Sequence, residues 1–267
     1  MRSELRDKVA DLLMGAIHYR ERSILLFWLR AYCQMVKECD APAVPFSRLA
    51  QFVGRHQREI GWCGGSGEAW GHKLIADSGL FRVGKVEEVA IAQEYRKDLS
   101  LICTQATVYW GLLKDLHRRP YSDGLVGVLQ QAALLWQHRL FFEFHEILED
   151  AWMDWRGPER RFLQGLIQLG VGFYHIQRNN YRGAMSMFRN GWDKVAPHAP
   201  RYCGVEIRKF LGRVEKCRGH LEELGPGRCH HFDWSRVPQM EVAGSGRLLV
   251  GTRKPSTVRG RQSASRS

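Results

Sequence analysis

No apolar run in this sequence approaches the ~18 residues that a membrane-spanning helix requires, so no membrane partner is expected. The opening residues, Met1-Arg2-Ser3-Glu4-Leu5-Arg6-Asp7-Lys8, are charged and lack the apolar core of a signal peptide, so secretion is not expected. Walker loops, dinucleotide fingerprints and nucleophile elbows are absent as well, which removes the sequence signatures of the commonest phosphate-loop, nicotinamide and serine-hydrolase classes. Cysteine offers no disulfide framework. The seven thiols, at 33, 39, 63, 103, 203, 217 and 229, are odd in number and irregular in spacing. The chain is long enough to fold without staples, so reduced thiols and a cytoplasmic location are the expectation.

What is present is ordinary globular material: 267 residues, 44% hydrophobic and 25% charged, enough for one large domain or two ordinary ones. The net charge of +12 points to an acidic partner, but its distribution is uneven. Residues 201–267 hold 14 of the 40 basic residues and 6 of the 28 acidic ones. From Gly246 onward Arg247, Arg253, Lys254, Arg259, Arg261 and Arg266 stand among Ser, Gly and Thr with no acidic residue. This composition predicts a disordered basic tail over 245–267, in which Arg253, Lys254, Arg259 and Arg261 offer generic contact to nucleic acid.

Residues 3–38 have helical periodicity, with Val9, Leu12, Leu13 and Ile17 followed by Ile24, Leu25, Trp28, Leu29, Cys33 and Val36. Ala41-Pro42-Ala43-Val44-Pro45 breaks the pattern. Helices are predicted over 47–55 and 68–77, separated by a glycine-rich stretch with Gly61, Gly64, Gly65 and Gly67. Residues 80–85 and 86–91 alternate as a small hairpin about Gly84-Lys85. Helix, helix, hairpin is the order of a winged helix over 45–92, with 68–77 as the helix for a DNA groove. That helix carries only Lys73 and His72 against Glu68 and Asp77, a poor electrostatic footprint. A plain accessory domain is the competing reading.

An amphipathic helix over 101–119 leads to the linker Arg119-Pro120-Tyr121-Ser122-Asp123-Gly124. Five helices follow, over 126–137, 141–156, 158–178, 182–196 and 205–224. Pro158 sits in a first helical position, and Asn179-Asn180 forms a turn that tolerates left-handed backbone. Shifting the sequence by forty lays Phe141 on Tyr181, Phe144 on Ala184, Leu148 on Phe188 and Trp152 on Trp192. A period of about forty is that of stacked helical hairpins, and two units make a compact bundle rather than a solenoid.

The second of these helices contains Glu143-Phe144-His145-Glu146-Ile147-Leu148-Glu149-Asp150. Steps of four and three place Phe141, His145, Leu148, Trp152 and Trp155 on one face, with Glu149 at its border. The third helix carries a polar stripe of Arg160, Gln164, Gln168 and His175 beside an apolar one of Phe162, Leu166, Leu169, Phe173 and Ile176. Antiparallel pairing about the turn near 157 makes partner numbers sum to roughly 313. His145 then faces Gln168, Glu149 faces Gln164 with Arg160 in reach, and His175 comes level with His138. Two functions fit. A buried polar network would lock helix register, since polar groups in an interface must satisfy one another. Alternatively, His145 and Glu149, completed by Glu146 or His175, present a nitrogen and carboxylates to a divalent metal. The registration disfavours His175, about seven residues or ~10 Å from the His145 layer. Cys217, His220, Cys229, His230 and His231 form a second, weaker zinc pattern, and Cys217 falls on an apolar stripe.

These residues also carry a resemblance. Phe141 through Glu149, then Arg161-Phe162-Leu163-Gln164-Gly165-Leu166-Ile167-Gln168, Tyr174-His175 and Asn180-Tyr181-Arg182-Gly183-Ala184, resemble the domain-of-unknown-function family 309 over about 125–225. The resemblance implies an all-helical, bacterial domain with no established activity. Arg139 stands where the family commonly has Gly, and Gln137 where it commonly has Asn. A left-handed angle at Arg139 would cost about 1–2 kcal/mol.

The fold class is therefore all-α: an antiparallel bundle of stacked helix hairpins, with an N-terminal, mainly helical region that includes a small β-hairpin. We divide the chain into an accessory region (1–119), the bundle (124–225), a C-terminal extension (226–244) and the tail. The leading functional expectation is a helical binding or interaction protein, without a cofactor, whose partner is a protein or small molecule. The alternatives are a metal-assisted hydrolase or other small-ligand enzyme using His145, Glu146 and Glu149, and a nucleic-acid-associated protein using the N-terminal region and the tail.

Overall fold

The structure, a computed structural model, describes residues 3–56, 67–84, 87–118 and 120–243. The basic tail and the glycine-rich stretch from Gly61 to Gly65 lie outside the described residues, as does Lys85 of the turn expected at Gly84-Lys85. The described chain is mainly helical, and no helix in it is long and apolar enough to cross a membrane. It divides into two compact units, Met1–Pro120 with Gln137–Glu143, and Tyr121–Trp136 with Phe144–Ser267.

In the first unit, α1 (Ser3–His18) buries Leu5, Val9, Leu12, Leu13 and Ala16 at helical spacing. The single periodic stretch over 3–38 is in fact two helices. Tyr19 is extended (φ −133°, ψ 100°), and a 3-10 turn at Arg20–Arg22 precedes α2 (Ser23–Cys39). Apolar spacing runs through such a break because both helices bury their stripes in the same unit. Strand β1 (Ala43–Pro45) occupies what the sequence marks only as an interruption; α3 (Phe46–His56), α4 (Gly67–Asp77), β2 (Phe81–Val83) and β3 (Glu88–Ile91) follow. The predicted hairpin β2–β3 is joined by β1 in an antiparallel sheet of order β1-β3-β2, with Val44 opposite Val89 and Phe81 opposite Ile91. The Tyr32 hydroxyl fastens α2 to this sheet: it donates to the Pro42 carbonyl (2.9 Å) and accepts from the Ile91 amide (3.0 Å). Gly71 lets α4 close onto α2, since a Cβ there would lie 2.5 Å from the Trp28 ring. Helix α5 (Leu99–Arg118) packs on α2, and Cys33 and Cys103 are joined by a disulfide with Cα atoms 5.4 Å apart. The expectation of seven reduced thiols is corrected here. Spacing in sequence does not show that two packed helices bring these side chains together.

The second unit contains α6 (Gly124–Gln137), most of α7 (Phe141–Asp154), α8 (Pro158–Gln177), α9 (Tyr181–Val195) and α10 (Ile207–Leu224). Helices α8 and α9 approach backbone to backbone. A Cβ on Gly165 would lie 2.6 Å from Val195 Cγ2, and one on Gly191 would lie 2.8 Å from the Gly165 carbonyl oxygen. Trp136 is the hub of the core, with its ring centre 5.0–5.2 Å from those of Phe144, Phe173 and Phe210. Its indole N–H donates to the Pro238 carbonyl (2.6 Å), satisfying the one polar group that a buried Trp carries. Residues 226–243 thus fold back onto the bundle, with Phe232 and Met240 buried and Val242 bridged to Val205.

Candidate functional site

Helix α7 does not bury the face expected from its sequence. Phe141, Phe144, Ile147, Leu148 and Ala151 are buried, while His145 and Trp152 flank them. Phe144 packs against α8 at Gly170, where a Cβ would meet its ring at 2.4 Å. These two numbers sum to 314, so the predicted antiparallel level holds, but the facing pair is Phe144 and Gly170. The inward face is turned by one residue relative to the sequence reading. Phe144 fills the gap that a glycine leaves opposite it, and burying that ring outweighs any contact His145 would gain there.

The consequence for the polar stripe is direct. His145, Glu146, Arg160, Gln164, Gln168 and His175 are half-buried and Glu149 is exposed, so a network sealed between α7 and α8 is not formed. The partners also differ from those expected. Gln168 accepts from Lys194 Nζ of α9 (3.0 Å) in place of His145. Arg160 lies with its guanidinium carbon 3.7 Å from the centre of the Trp152 ring. It donates to the Trp152 carbonyl at the end of α7 (3.1 Å) and is not paired with Glu149. A cation at a helix C-terminus meets unsatisfied carbonyls and the negative end of the dipole, which explains this choice. Gln164 makes no hydrogen bond to Glu149. His175 belongs to the α8–α9 turn, where its Nδ1 lies 3.2 Å from Asn180 Nδ2. Burial holds its pKa below the ordinary histidine value.

What converges is a shorter set on α7 alone. His145 Nε2 lies 3.3 Å from Glu146 Oε1 and 3.7 Å from Glu149 Oε1. One ligand atom from each of the three residues falls within a 4.8 Å cluster, the sole such His/Cys/Asp/Glu group among the described residues. Side-chain exposure rises from 19% at His145 through 33% at Glu146 to 50% at Glu149, so the cluster opens to solvent on the Glu149 side. The second zinc pattern does not assemble. The Cys217 thiol donates to the Arg236 carbonyl (3.2 Å), and burial pushes its pKa up to about 12. His220 Nε2 accepts from the Asp233 amide (3.3 Å), and Cys229 is buried.

One strongly bound polar pair escaped the sequence reading. In the first unit the buried Tyr109 hydroxyl donates to the carboxylate of Glu143, which is only 4% exposed. Burial, followed by the Glu143 charge, drives the Tyr109 pKa well above the phenol range, so the hydroxyl stays a donor. The signal in sequence is faint: a carboxylate at position 143 amid apolar neighbours, with its partner 34 residues earlier.

The arrangement defines a helical-hairpin domain with a small imidazole–carboxylate cluster on one helix. Residues 129–187, which include that cluster, match the family described as "Domain of unknown function (DUF309)". Over 53 residues the chain is 43% identical to the "Uncharacterized protein YpuF" of Bacillus subtilis (strain 168). That stretch is 20% of this chain and spans 30% of the relative's length.

Proposed function

We propose that the second unit is a binding module that holds a divalent cation on α7 through His145 Nε2 and the carboxylates of Glu146 and Glu149. The observation that carries this reading is their convergence. For metal bonds of about 2.0–2.2 Å, neighbouring ligand atoms in a tetrahedral or octahedral shell lie roughly 3.0–3.5 Å apart. The 3.3 and 3.7 Å separations need only small rotations to reach that spacing. A neutral imidazole with two carboxylates suits Zn²⁺, Mn²⁺ or Fe²⁺ better than Ca²⁺ or Mg²⁺, which favour all-oxygen shells. The exposed Glu149 side gives the ion a route in and leaves positions for water or for a partner's donor. Hydrolysis is the weaker reading. With all three groups engaged as ligands none is left as a general base, and Arg160 is already committed to Trp152.

Metal content and thermal melting test the proposal. Protein stripped with chelator should gain about one equivalent of Zn²⁺ or Mn²⁺ and melt higher with the metal present, because an ion bound only to the folded state stabilises it. His145→Ala should bind none and show no shift. A wild type that takes up no ion and whose melting does not respond to metal would overturn it.

A further inference from the structure

The first unit supports a different activity from the second. The segment α2-β1-α3-α4-β2-β3, with its sheet ordered β1-β3-β2, has the element order and strand order of a complete winged helix. The motif read from the sequence has only two helices and a hairpin. The structure adds the strand β1 and packs α3 and α4 on α2, the helix already periodic in the sequence, which makes α2 the first helix of the motif. In this architecture the outer face of the second of the two consecutive helices, here α4, is the element that enters a groove of duplex DNA.

The outer face of α4 is narrow and weakly cationic. Ala69, His72, Lys73 and Ala76 are exposed opposite the buried Gly71 and Leu74. Small side chains at Ala69 and Ala76 permit close approach to a groove, and Lys73 supplies one cation. The acidic Glu68 and Asp77 stand at its two ends. The charge that the sequence reading lacked comes from α3. This helix, Phe-Ser-Arg-Leu-Ala-Gln-Phe-Val-Gly-Arg-His, contains no acidic residue. Arg48, Gln51 and Arg55 fall at i, i+3 and i+7, so they share one face, and all three are exposed. Neither Arg48 nor Arg55 has an ion-pair partner among the described residues. Two exposed guanidiniums with no ion-pair partner among the described residues, on the helix that precedes α4, suit contact with a phosphate backbone. Arginine is the side chain best shaped for that contact.

We propose that the first unit binds duplex DNA as a winged helix, with α4 toward a groove and Arg48 and Arg55 of α3 on backbone phosphates. This is independent of the cation site on α7. The alternative source of affinity is the basic stretch Arg253–Arg261, so the test separates the two. Full-length protein is titrated into a fluorescein-labelled duplex of about three helical turns over a series of salt concentrations. Wild type should bind with a clear salt dependence. Arg48→Ala/Arg55→Ala should weaken binding about tenfold or more at low salt and reduce the slope of log K against log salt by about 2. Lys73→Ala should reduce that slope by about 1. Arg253→Ala/Lys254→Ala/Arg259→Ala/Arg261→Ala should leave the Arg48/Arg55 effect in place. All the substituted residues within the described chain are exposed, and unchanged melting curves would show that the variants fold. No binding to the duplex, as expected if this face docks a protein, would overturn the proposal. So would binding that the tail substitutions abolish and the α3 substitutions leave untouched.

Discussion

Arg139 and Asn179, forty residues apart, hold the same left-handed backbone conformation (φ 58° and 55°) just beyond the ends of α6 and α8. At Asn179 the turn is fully closed: the Asn179 amide donates to the Ile176 carbonyl (2.9 Å) and the Asn180 amide to the His175 carbonyl (2.8 Å). This is the Schellman arrangement that satisfies the last carbonyls of a helix. Asn180 then starts α9, its side-chain oxygen accepting from the Gly183 amide (2.9 Å). Asn at the left-handed position is tolerated because its short polar chain bonds locally, whereas Arg pays the steric cost of its Cβ. Arg139→Gly is therefore expected to stabilise the protein by about 1 kcal/mol, and Asn179→Ala to destabilise it by a similar amount. Urea unfolding of both variants checks this, and a destabilised Arg139→Gly would refute it.

The close approach of α8 and α9 gives a contrast between two helical glycines. Gly191 faces the Gly165 carbonyl and the Leu169 side chain, both 2.8 Å from where a Cβ would sit. A methyl there forces the helices apart, because one of the obstacles is backbone and cannot rotate away. Gly191→Ala is expected to cost about 1–3 kcal/mol. Gly212, inside α10, has nothing within 4 Å of its Cβ position. Gly212→Ala should stabilise by about 0.5–1 kcal/mol, through helix propensity alone. Equal effects at the two sites would show that the α8–α9 contact is looser than described.

The hairpin repeat was readable in the sequence because it depends on short-range signals: the Asn179-Asn180 turn, Pro158 at a helix start, and apolar spacing within each helix. The level at which α7 and α8 pair was readable for the same reason, since the turn between them fixes it. Rotation about the helix axis was not. Phe141, Phe144, Leu148 and Ala151 compete with Phe141, His145, Leu148 and Trp152 as inward stripes, and periodicity accepts both because each follows steps of three and four. The choice depends on Gly170, a residue whose importance is that it leaves space for Phe144. A residue that acts by absence leaves no mark in a periodicity. The same limit hid the partners of Arg160 and Gln168, which lie across different interfaces, and the Cys33–Cys103 pairing across 70 residues. Strand β1 was hidden because three residues are too few to show alternation, and β3 supplies its hydrogen bonds from more than forty residues away.

The pH response of the second unit depends on histidines that packing keeps neutral. The His198 ring lies 4.5 Å from that of Tyr202 and 5.3 Å from that of Phe162, centre to centre. Burial, helped by the charge of Arg161 and opposed by that of Glu159, holds its pKa below the ordinary value. Tyr202 is fixed beside it, its hydroxyl donating to the Glu159 carboxylate (3.0 Å). A histidine whose folded pKa lies below its unfolded value of about 6.5 binds protons more readily in the unfolded chain. Its contribution to stability is complete above about pH 6.5, is lost as pH falls towards the folded pKa, and changes no further below it. His175 is shifted the same way and adds to the effect. His198→Phe retains an aromatic ring between Phe162 and Tyr202 and removes the titrating group. Melting temperatures measured between about pH 7.5 and pH 5 should therefore fall less steeply in the variant than in wild type. Adding His175→Gln should flatten the curve further, although loss of the contact to Asn180 will lower it at every pH. Parallel curves for wild type and both variants would mean that neither histidine is buried enough to couple its protonation to folding.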